Sequence, residues 1–261
     1  AYLAQQVTFK NIAHKFRESG LNLKVVVKEI VKSLYWRAES LQPGANAEIH
    51  RNMGSARLLT PEMLDRKITA VLGYEWNYSS GRYHWLTERG SDSFRQLYGG
   101  IDSDTVINRI EDPNGLMVAV QNRMASEMAC KVVSRDFFKP AATRLVFPHV
   151  TSASTNETEI RNNLRHIFWS FYGQEISGDN AEITAMLQLF NTVREEGLQS
   201  LVVDNSSTNN RLSSHCQLGS NPETGKSLSS ENRIELDEEY ILRSWQAVLT
   251  VMLADYQFLY E

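Results

Sequence analysis

Two cysteines, Cys130 and Cys216, are the residues of this 261-residue chain that could form a covalent cross-link. They could be unrelated free thiols, one on a helix and the other in a polar loop. They could instead form a disulfide that ties the loop to the helix and removes a reactive exposed thiol. A bridge closing so long a loop would contribute about 4 kcal/mol, and it would need an oxidising compartment. On the residues alone, both interpretations stay open.

Two aspartates with one residue between them, Asp102 and Asp104, follow the pair Gly99 and Gly100. Oxygen-rich loops of this kind bind Ca²⁺, so the two carboxylates are a calcium candidate, although the rest of the calcium-loop pattern is missing. The plainer interpretation is a turn followed by a helix N-cap at one of the aspartates. No other cofactor is predicted, since the sequence has neither a Cys-x-x-Cys-His haem attachment motif nor a His-Glu-x-x-His metal motif.

Acidic and aromatic side chains are the candidates for a catalytic site. Glu127 and Asp136 lie on either side of Cys130 and could serve as an acid–base pair, but 31 acidic residues offer many such pairs. The Tyr- and Trp-rich stretch from Tyr74 to Trp85 could bind a sugar ring or cover the core. No nucleophile elbow, phosphate loop or dinucleotide fingerprint is present. Whether the protein is an enzyme is therefore left open, and a non-enzymatic role is favoured.

The composition narrows the class of protein. A net charge of -4 argues against a general nucleic-acid binder, which needs a basic surface. A hydrophobic fraction of 42% is enough for a sizeable core. No apolar run approaches the roughly 18 residues of a membrane-spanning helix.

Apolar residues recur at spacings of three and four along most of the chain, and alternation typical of strands is nearly absent. We therefore predict an all-α fold: a single multi-helix domain over 1–261, with a long polar loop at 204–232 and a minor hairpin allowed in the aromatic stretch. Thr60, Pro61 and Glu62 form the strongest local signal, a capped helix start. The helices are predicted at about 2–18, 23–34, 61–72, 115–134, 158–172, 180–197 and 237–260. Asn114 and Asp179 are the predicted caps of the helices that follow them, and Gly73, Gly173 and Gly197 are predicted to end helices.

Several helical segments resemble one known family. They are NLKVVVKEIVKSLYWRA, SARLLTPEMLDRKITAVLG, LYGGIDSDTVINRI, NGLMVAVQNRMASEMACKVVSRDF, LRHIFWSFYGQEISGDNAEITAMLQLF and SWQAVLTVMLADYQFLYE. Together they are similar to blocks of the planctomycete-type, cytochrome-associated extracytoplasmic helical proteins, whose function is unknown. The resemblance covers nearly all of the chain except the polar loop, and it carries over no catalytic residue.

The resemblance implies a place and a role for the protein. It implies export to the periplasm or cell surface, and the first residue, Ala1, fits a chain matured after export or cut from a larger protein. An oxidising compartment in turn favours the bridge between Cys130 and Cys216. We expect an interaction or scaffold module associated with a c-type cytochrome or another electron-transfer assembly, in an oligomeric state that the sequence leaves open. The alternative is an extracytoplasmic enzyme that acts on a polysaccharide or similar polymer through two carboxylates.

Overall fold

The computed structural model describes residues 2–37, 44, 57–78, 83–88, 93–101, 107–108, 110, 112–203 and 210–260. The chain divides into two compact units, Ala1–Arg57 and Leu58–Glu261. The regular structure of the described residues consists of eight α-helices, three short 3₁₀ turns and one two-stranded antiparallel hairpin. The predicted all-α class is therefore confirmed, and the hairpin that it allowed for is present. That the whole chain is a single domain stays a prediction.

The first unit contains a helical hairpin. Its helices are α1 (Tyr2–Glu18), α2 (Leu23–Lys32) and the single turn α3 (Leu34–Arg37). Gly20 ends α1 with a φ of 69°, which glycine adopts without strain. The Asn22 side chain then caps α2 by accepting the N–H of Lys24 at 3.0 Å. α1 and α2 pack on each other, and Lys15 Nζ lies 2.6 Å from Glu29 Oε2 across the pair.

The second unit contains the remaining elements. They are α4 (Pro61–Leu72), β1 (Asn77–Tyr78), β2 (Tyr83–His84), α5 (Gly115–Phe138), α6 (Glu157–Tyr172), α7 (Ala181–Val203) and α8 (Ile241–Ala254). In the hairpin, Asn77 pairs with His84 and Tyr78 with Tyr83. α5 packs along α8, which also contacts α7, and α6 packs against α7. The core is centred on α8, where the buried Trp245 ring lies 5.2 Å from Phe147 and 5.0 Å from Phe190.

The helix starts follow the predicted capping chemistry. Thr60 Oγ1 accepts the N–H of Met63 at 3.2 Å and begins α4, which Gly73 ends at a φ of 76°. Asn114 caps α5 in the same way. At α7 the predicted cap, Asp179, is wrong by one residue, because the Asn180 side chain accepts the N–H of Glu182 at 2.8 Å.

Several predicted helix boundaries are wrong. α5 continues to Phe138 rather than ending at about 134, and α8 ends at Ala254 rather than at 260. α7 does not end at Gly197 but continues to Val203. Gly197 is instead the residue on which the Tyr240 ring rests, and a Cβ atom there would overlap the ring. α8 begins at Ile241 rather than at Asp237. The Asp237 carboxylate instead accepts the N–H groups of Leu242 and Arg243, at 3.0 and 2.9 Å, and so caps the helix from several residues before it.

Backbone pairing orders the described part of the polar loop predicted at 204–232. Residues 204–209 lie outside the described part, whereas 210–237 form isolated antiparallel bridges at Arg211–Leu236, Leu218–Ile234 and Ser220–Ser227. Leu212 and Leu218 are buried. These few apolar anchors, together with the backbone bonds, order a segment whose composition offers little to bury.

The two ends of the second unit lie side by side. The Leu59 N–H donates to Leu259 O at 2.8 Å, and Leu58 pairs with Tyr260. The Lys67 ammonium of α4 donates to the carbonyls of Phe258 and Tyr260, at 2.9 and 3.0 Å. The closing 3₁₀ turn, Tyr256–Leu259, is thereby attached to the beginning of the unit.

Candidate functional site

Cys130 and Cys216 lie at disulfide-bonding distance, and the described residues include no free cysteine. The bridge joins the second half of α5 to the described stretch 210–237, which we call the polar segment. Both cysteines are more than nine-tenths buried. Neither Asp102 nor Asp104 lies among the described residues, so the calcium candidate stays a prediction.

A cavity of about 820 Å³ opens beside the disulfide. It lies where one face of α5 meets β1, the start of the polar segment and α8. We call it the disulfide cavity. Its described lining residues are Asn77, Ser126, Glu127, Cys130, Lys131, Arg135, Ser213, His215, Cys216 and Gln246.

Two cations on successive turns of α5 line this cavity. Lys131 Nζ donates to Glu75 O at 2.6 Å and to Asn77 Oδ1 at 3.2 Å, both of which are neutral acceptors. Burial lowers the pKa of Lys131 to about 8, helped by the charge of Arg135 and opposed by Glu75 and Glu127. Arg135 donates to Lys131 O at 2.9 Å, and burial lowers its pKa as well. Both charges are therefore partly withdrawn from water.

Glu127 is the carboxylate of the described lining, and both of its oxygens have partners. Oε1 accepts from Arg123 Nε at 2.8 Å, and Oε2 accepts from the Trp76 indole at 2.7 Å. The charge of Glu127 is thus matched by Arg123, which is not among the lining residues. Lys131 and Arg135 leave the described wall of the cavity positive.

The polar segment supplies the opposite wall. Ser213 Oγ lies 3.0 Å from Cys216 Sγ, and because a disulfide sulfur has no hydrogen, the hydroxyl is the donor. Gln246 of α8 places Oε1 at 3.7 Å from the same sulfur. His215 lies next to the bridge and lines the cavity. The cross-link therefore sets the position of this wall relative to α5.

The predicted aromatic stretch forms a stacked cluster. Trp85 lies 4.1 Å from Tyr78 and 4.6 Å from Phe94, ring centroid to ring centroid. The Arg123 guanidinium lies 4.8 Å from both Trp85 and Phe94 and covers them. Trp76 is buried beneath. The rings pack on one another above the buried Trp76, and both uses predicted for them, binding a sugar ring and covering the core, stay predictions.

The acid–base pair considered at Glu127 and Asp136 is not assembled. Asp136 is fully buried and accepts the backbone N–H groups of Leu145, Val146 and Phe147 at 2.9 to 3.2 Å. It anchors a loop and does not line the cavity. The polysaccharide enzyme therefore stays a prediction, without a pair of carboxylates in the described lining.

A second surface lies on the first unit, where apolar side chains of α2 and α3 face solvent. Five of them are between 40% and 77% exposed and recur at helical spacing: Leu23, Val27, Ile30, Val31 and Leu34. We call this set the α2 stripe. Val25, Val26 and Glu29 are half-buried and lie on the side of α2 that packs on α1, whereas most of the stripe faces away from that side. Ile30, the least exposed member, lies at the edge of the stripe and lines a small pocket with Phe9 and Ile12 of α1.

The surroundings of the α2 stripe are basic. The segment 1–37 contains seven Lys and Arg but only two acidic residues, in a chain whose net charge is -4. At 100° per residue, Lys24 and Lys28 lie next to Val31 on one flank of α2. The stripe is therefore an apolar surface with a cationic edge.

Sequence reasoning missed Lys131 and Arg135. Their spacing of four places them on one helix face beside Cys130, and this was the available signal. Within the described ranges, no cluster of three His, Cys, Asp or Glu side chains is placed to hold a metal ion. No described helix has the length and apolarity needed to cross a membrane.

The fold and site define a mostly helical protein with a disulfide-bounded polar cavity and an exposed amphipathic helix. Comparison with protein-family models, curated proteins and solved structures found no match. The family resemblance thus stays a prediction.

Proposed function

We propose that this protein is an extracytoplasmic interaction module that docks on a protein partner through the α2 stripe. The exposure of the stripe is the observation that carries the proposal. Large apolar side chains on a monomer surface are usually scattered, and a contiguous set favours an interface. Leu23, Val27, Ile30 or Val31, and Leu34 follow the spacing of helices that bind in the groove of a partner.

The chemistry of the stripe defines the partner. An apolar groove would receive the five side chains, and an acidic rim would complement Lys24 and Lys28. We propose a c-type cytochrome as this partner, because the family resemblance implies such company and the chain has no haem attachment motif of its own. The proposed location is the periplasm or cell surface, where c-type cytochromes occur and where a disulfide persists.

Photocrosslinking in the native host tests this proposal. A benzoylphenylalanine at Val27 would replace a 62% exposed side chain at the centre of the stripe. After irradiation and purification under denaturing conditions, we expect an adduct that stains for covalent haem. Val202, also exposed, lies on α7 in the other unit and is the matched control position, at which no such adduct is expected.

Other results would contradict the proposal in identifiable ways. An adduct of twice the mass of the chain, without haem, would show that a second copy covers the stripe. Crosslinks to lipid alone would assign it to a membrane surface. Equal yields of the haem-staining adduct from Val27 and Val202, or none from either, would remove the stripe as the docking site.

A further inference from the structure

We infer that the disulfide cavity binds an acidic sugar, with the anionic group between Lys131 and Arg135 and the hydroxyl groups on the neutral polar side chains. This site shares no residue with the α2 stripe and does not depend on the docking proposed above. The inference rests on the charge of the cavity, on its lining and on its size.

The positive charge of the disulfide cavity favours an anionic ligand. No carboxylate of the described residues lies within 4 Å of the Lys131 ammonium or the Arg135 guanidinium. The acceptors that these cations do have are neutral, namely two backbone carbonyls and the Asn77 amide oxygen. A partly buried charge is stabilised by an opposite charge far more than by a neutral acceptor. A bound carboxylate, sulfate or phosphate would supply that opposite charge.

Glu127 does not replace such an anion, although it lines the same cavity. Its two oxygens are already bonded to Arg123 and to the Trp76 indole. Turning either oxygen toward Lys131 would leave the guanidinium or the buried indole N–H without an acceptor. The cavity therefore keeps its positive charge.

The neutral part of the lining favours a hydroxylated ligand. Asn77, Ser126, Ser213, His215 and Gln246 provide amide, hydroxyl and imidazole groups, and no aromatic or large aliphatic side chain occurs among the described lining residues. Such groups donate to and accept from hydroxyls. A volume of about 820 Å³ is far larger than an inorganic ion and falls within the usual range of ligand pockets. A carboxylate on a sugar ring matches both parts of the lining.

The disulfide determines whether the site is complete. Ser213 and His215 belong to the polar segment, and the bond from Cys216 to Cys130 holds that segment against α5. Reducing the bond removes the covalent link between this wall and α5, while Lys131 and Arg135 stay on their helix. We therefore expect the oxidised protein to bind the sugar acid more tightly than the reduced one.

Calorimetry of the full chain at low ionic strength tests the inference, with D-glucuronate, D-glucose and inorganic phosphate as probes. The affinity for glucuronate is expected to exceed the affinities for glucose and for phosphate by about tenfold or more. Glucose lacks the charge, and phosphate lacks the ring. Lys131→Met and Arg135→Gln should each weaken glucuronate binding about tenfold or more. Lys139→Met is the matched control, since Lys139 is a half-buried cation at the end of α5 that lies over the Tyr74 ring. The affinity of this variant for glucuronate should equal that of the parent protein.

Two safeguards separate lost binding from lost folding. Circular dichroism identifies any variant that does not fold, and Arg135→Lys keeps the charge and is expected to retain most of the affinity. Equal affinity for glucuronate and glucose would overturn the anion site, and equal affinity for phosphate and glucuronate would overturn the sugar. Unchanged binding by folded Lys131→Met and Arg135→Gln variants, or no binding of any probe, would overturn the whole inference.

Discussion

Asp136 and Lys131 are charged side chains of the same helix in opposite situations. Asp136 is fully buried, but it accepts three backbone N–H groups, so its charge is well solvated by the protein. Lys131 donates to neutral acceptors and lines a cavity, and burial lowers its pKa to about 8. The first residue stabilises the fold, whereas the second is available for a ligand.

Replacing Asp136 by alanine is expected to destabilise the protein by about 3 to 5 kcal/mol, because three N–H groups of the 145–147 loop would lose their acceptor. Urea unfolding followed by circular dichroism measures the change. Asp112→Ala, at an exposed position, is the control and should stay within about 0.5 kcal/mol of the parent. A loss below about 1 kcal/mol for Asp136→Ala would contradict the anchoring role.

The lowered pKa of Lys131 predicts how anion binding depends on pH. Below about pH 8 the ammonium is charged and the affinity for glucuronate should be at its highest. Above that value Lys131 loses its proton and the affinity should fall, earlier than for an ordinary lysine that titrates near 10.4. Arg135 favours the neutral form, whereas Glu75 and Glu127 favour the charged form. Calorimetry across this range measures the midpoint, and constant affinity up to pH 10 would contradict the assignment.

At the scale of elements, Gly197 shows that a glycine does not always end a helix, because α7 runs through it to Val203. The Tyr240 ring before α8 rests on Gly197, and a Cβ atom there would overlap the ring. Gly197→Ala should therefore destabilise the protein by about 1 to 3 kcal/mol through overpacking.

Gly115→Ala is the matched control for that change, since Gly115 is also helical and no atom lies within 4 Å of the added Cβ. We expect this variant to be neutral or stabilised by up to about 1 kcal/mol. Thermal denaturation compares the two variants. Similar melting temperatures for both would show that Gly197 is not a contact point between α7 and the Tyr240 turn.

The sequence predicted helix positions well where the signal was local. Thr60, Asn114 and the glycines after α4 and α6 act within one turn of the residues that they cap, so their chemistry can be recognised without the fold. The start of α8 follows from the Asp237 carboxylate, which accepts the N–H groups of Leu242 and Arg243. The glycine inside α7 is explained by the contact between Gly197 and Tyr240, which are 43 positions apart in the sequence. No local pattern contains that information.

The same distinction applies to the disulfide cavity. Only one internal pairing was possible because the chain has only two cysteines, although the residues alone left open whether the two pair. The roles of Lys131 and Arg135 were not, because they depend on which groups of β1, the polar segment and α8 surround them. An exposed Lys–Arg pair on a helix has the same sequence pattern and no cavity.

At the scale of the whole molecule, the disulfide spans 86 positions and ties the polar segment to the core. The chain-entropy model assigns a loop of that length about 4 to 5 kcal/mol. Cys130→Ser/Cys216→Ser should lose about that amount in urea unfolding, and reduction of the parent protein should give the same shift. Mass spectrometry of the unreduced protein should detect no free thiol at either position, whereas two free thiols would refute the bridge.

The pairing of Leu58 with Tyr260 places the first and the last described residues of the second unit next to each other. A segment with this geometry can be spliced into an exposed turn of a host protein without forcing the two halves of the host apart. Residues 58–260 are therefore suited to insertion into a host protein as one piece that contains the disulfide cavity.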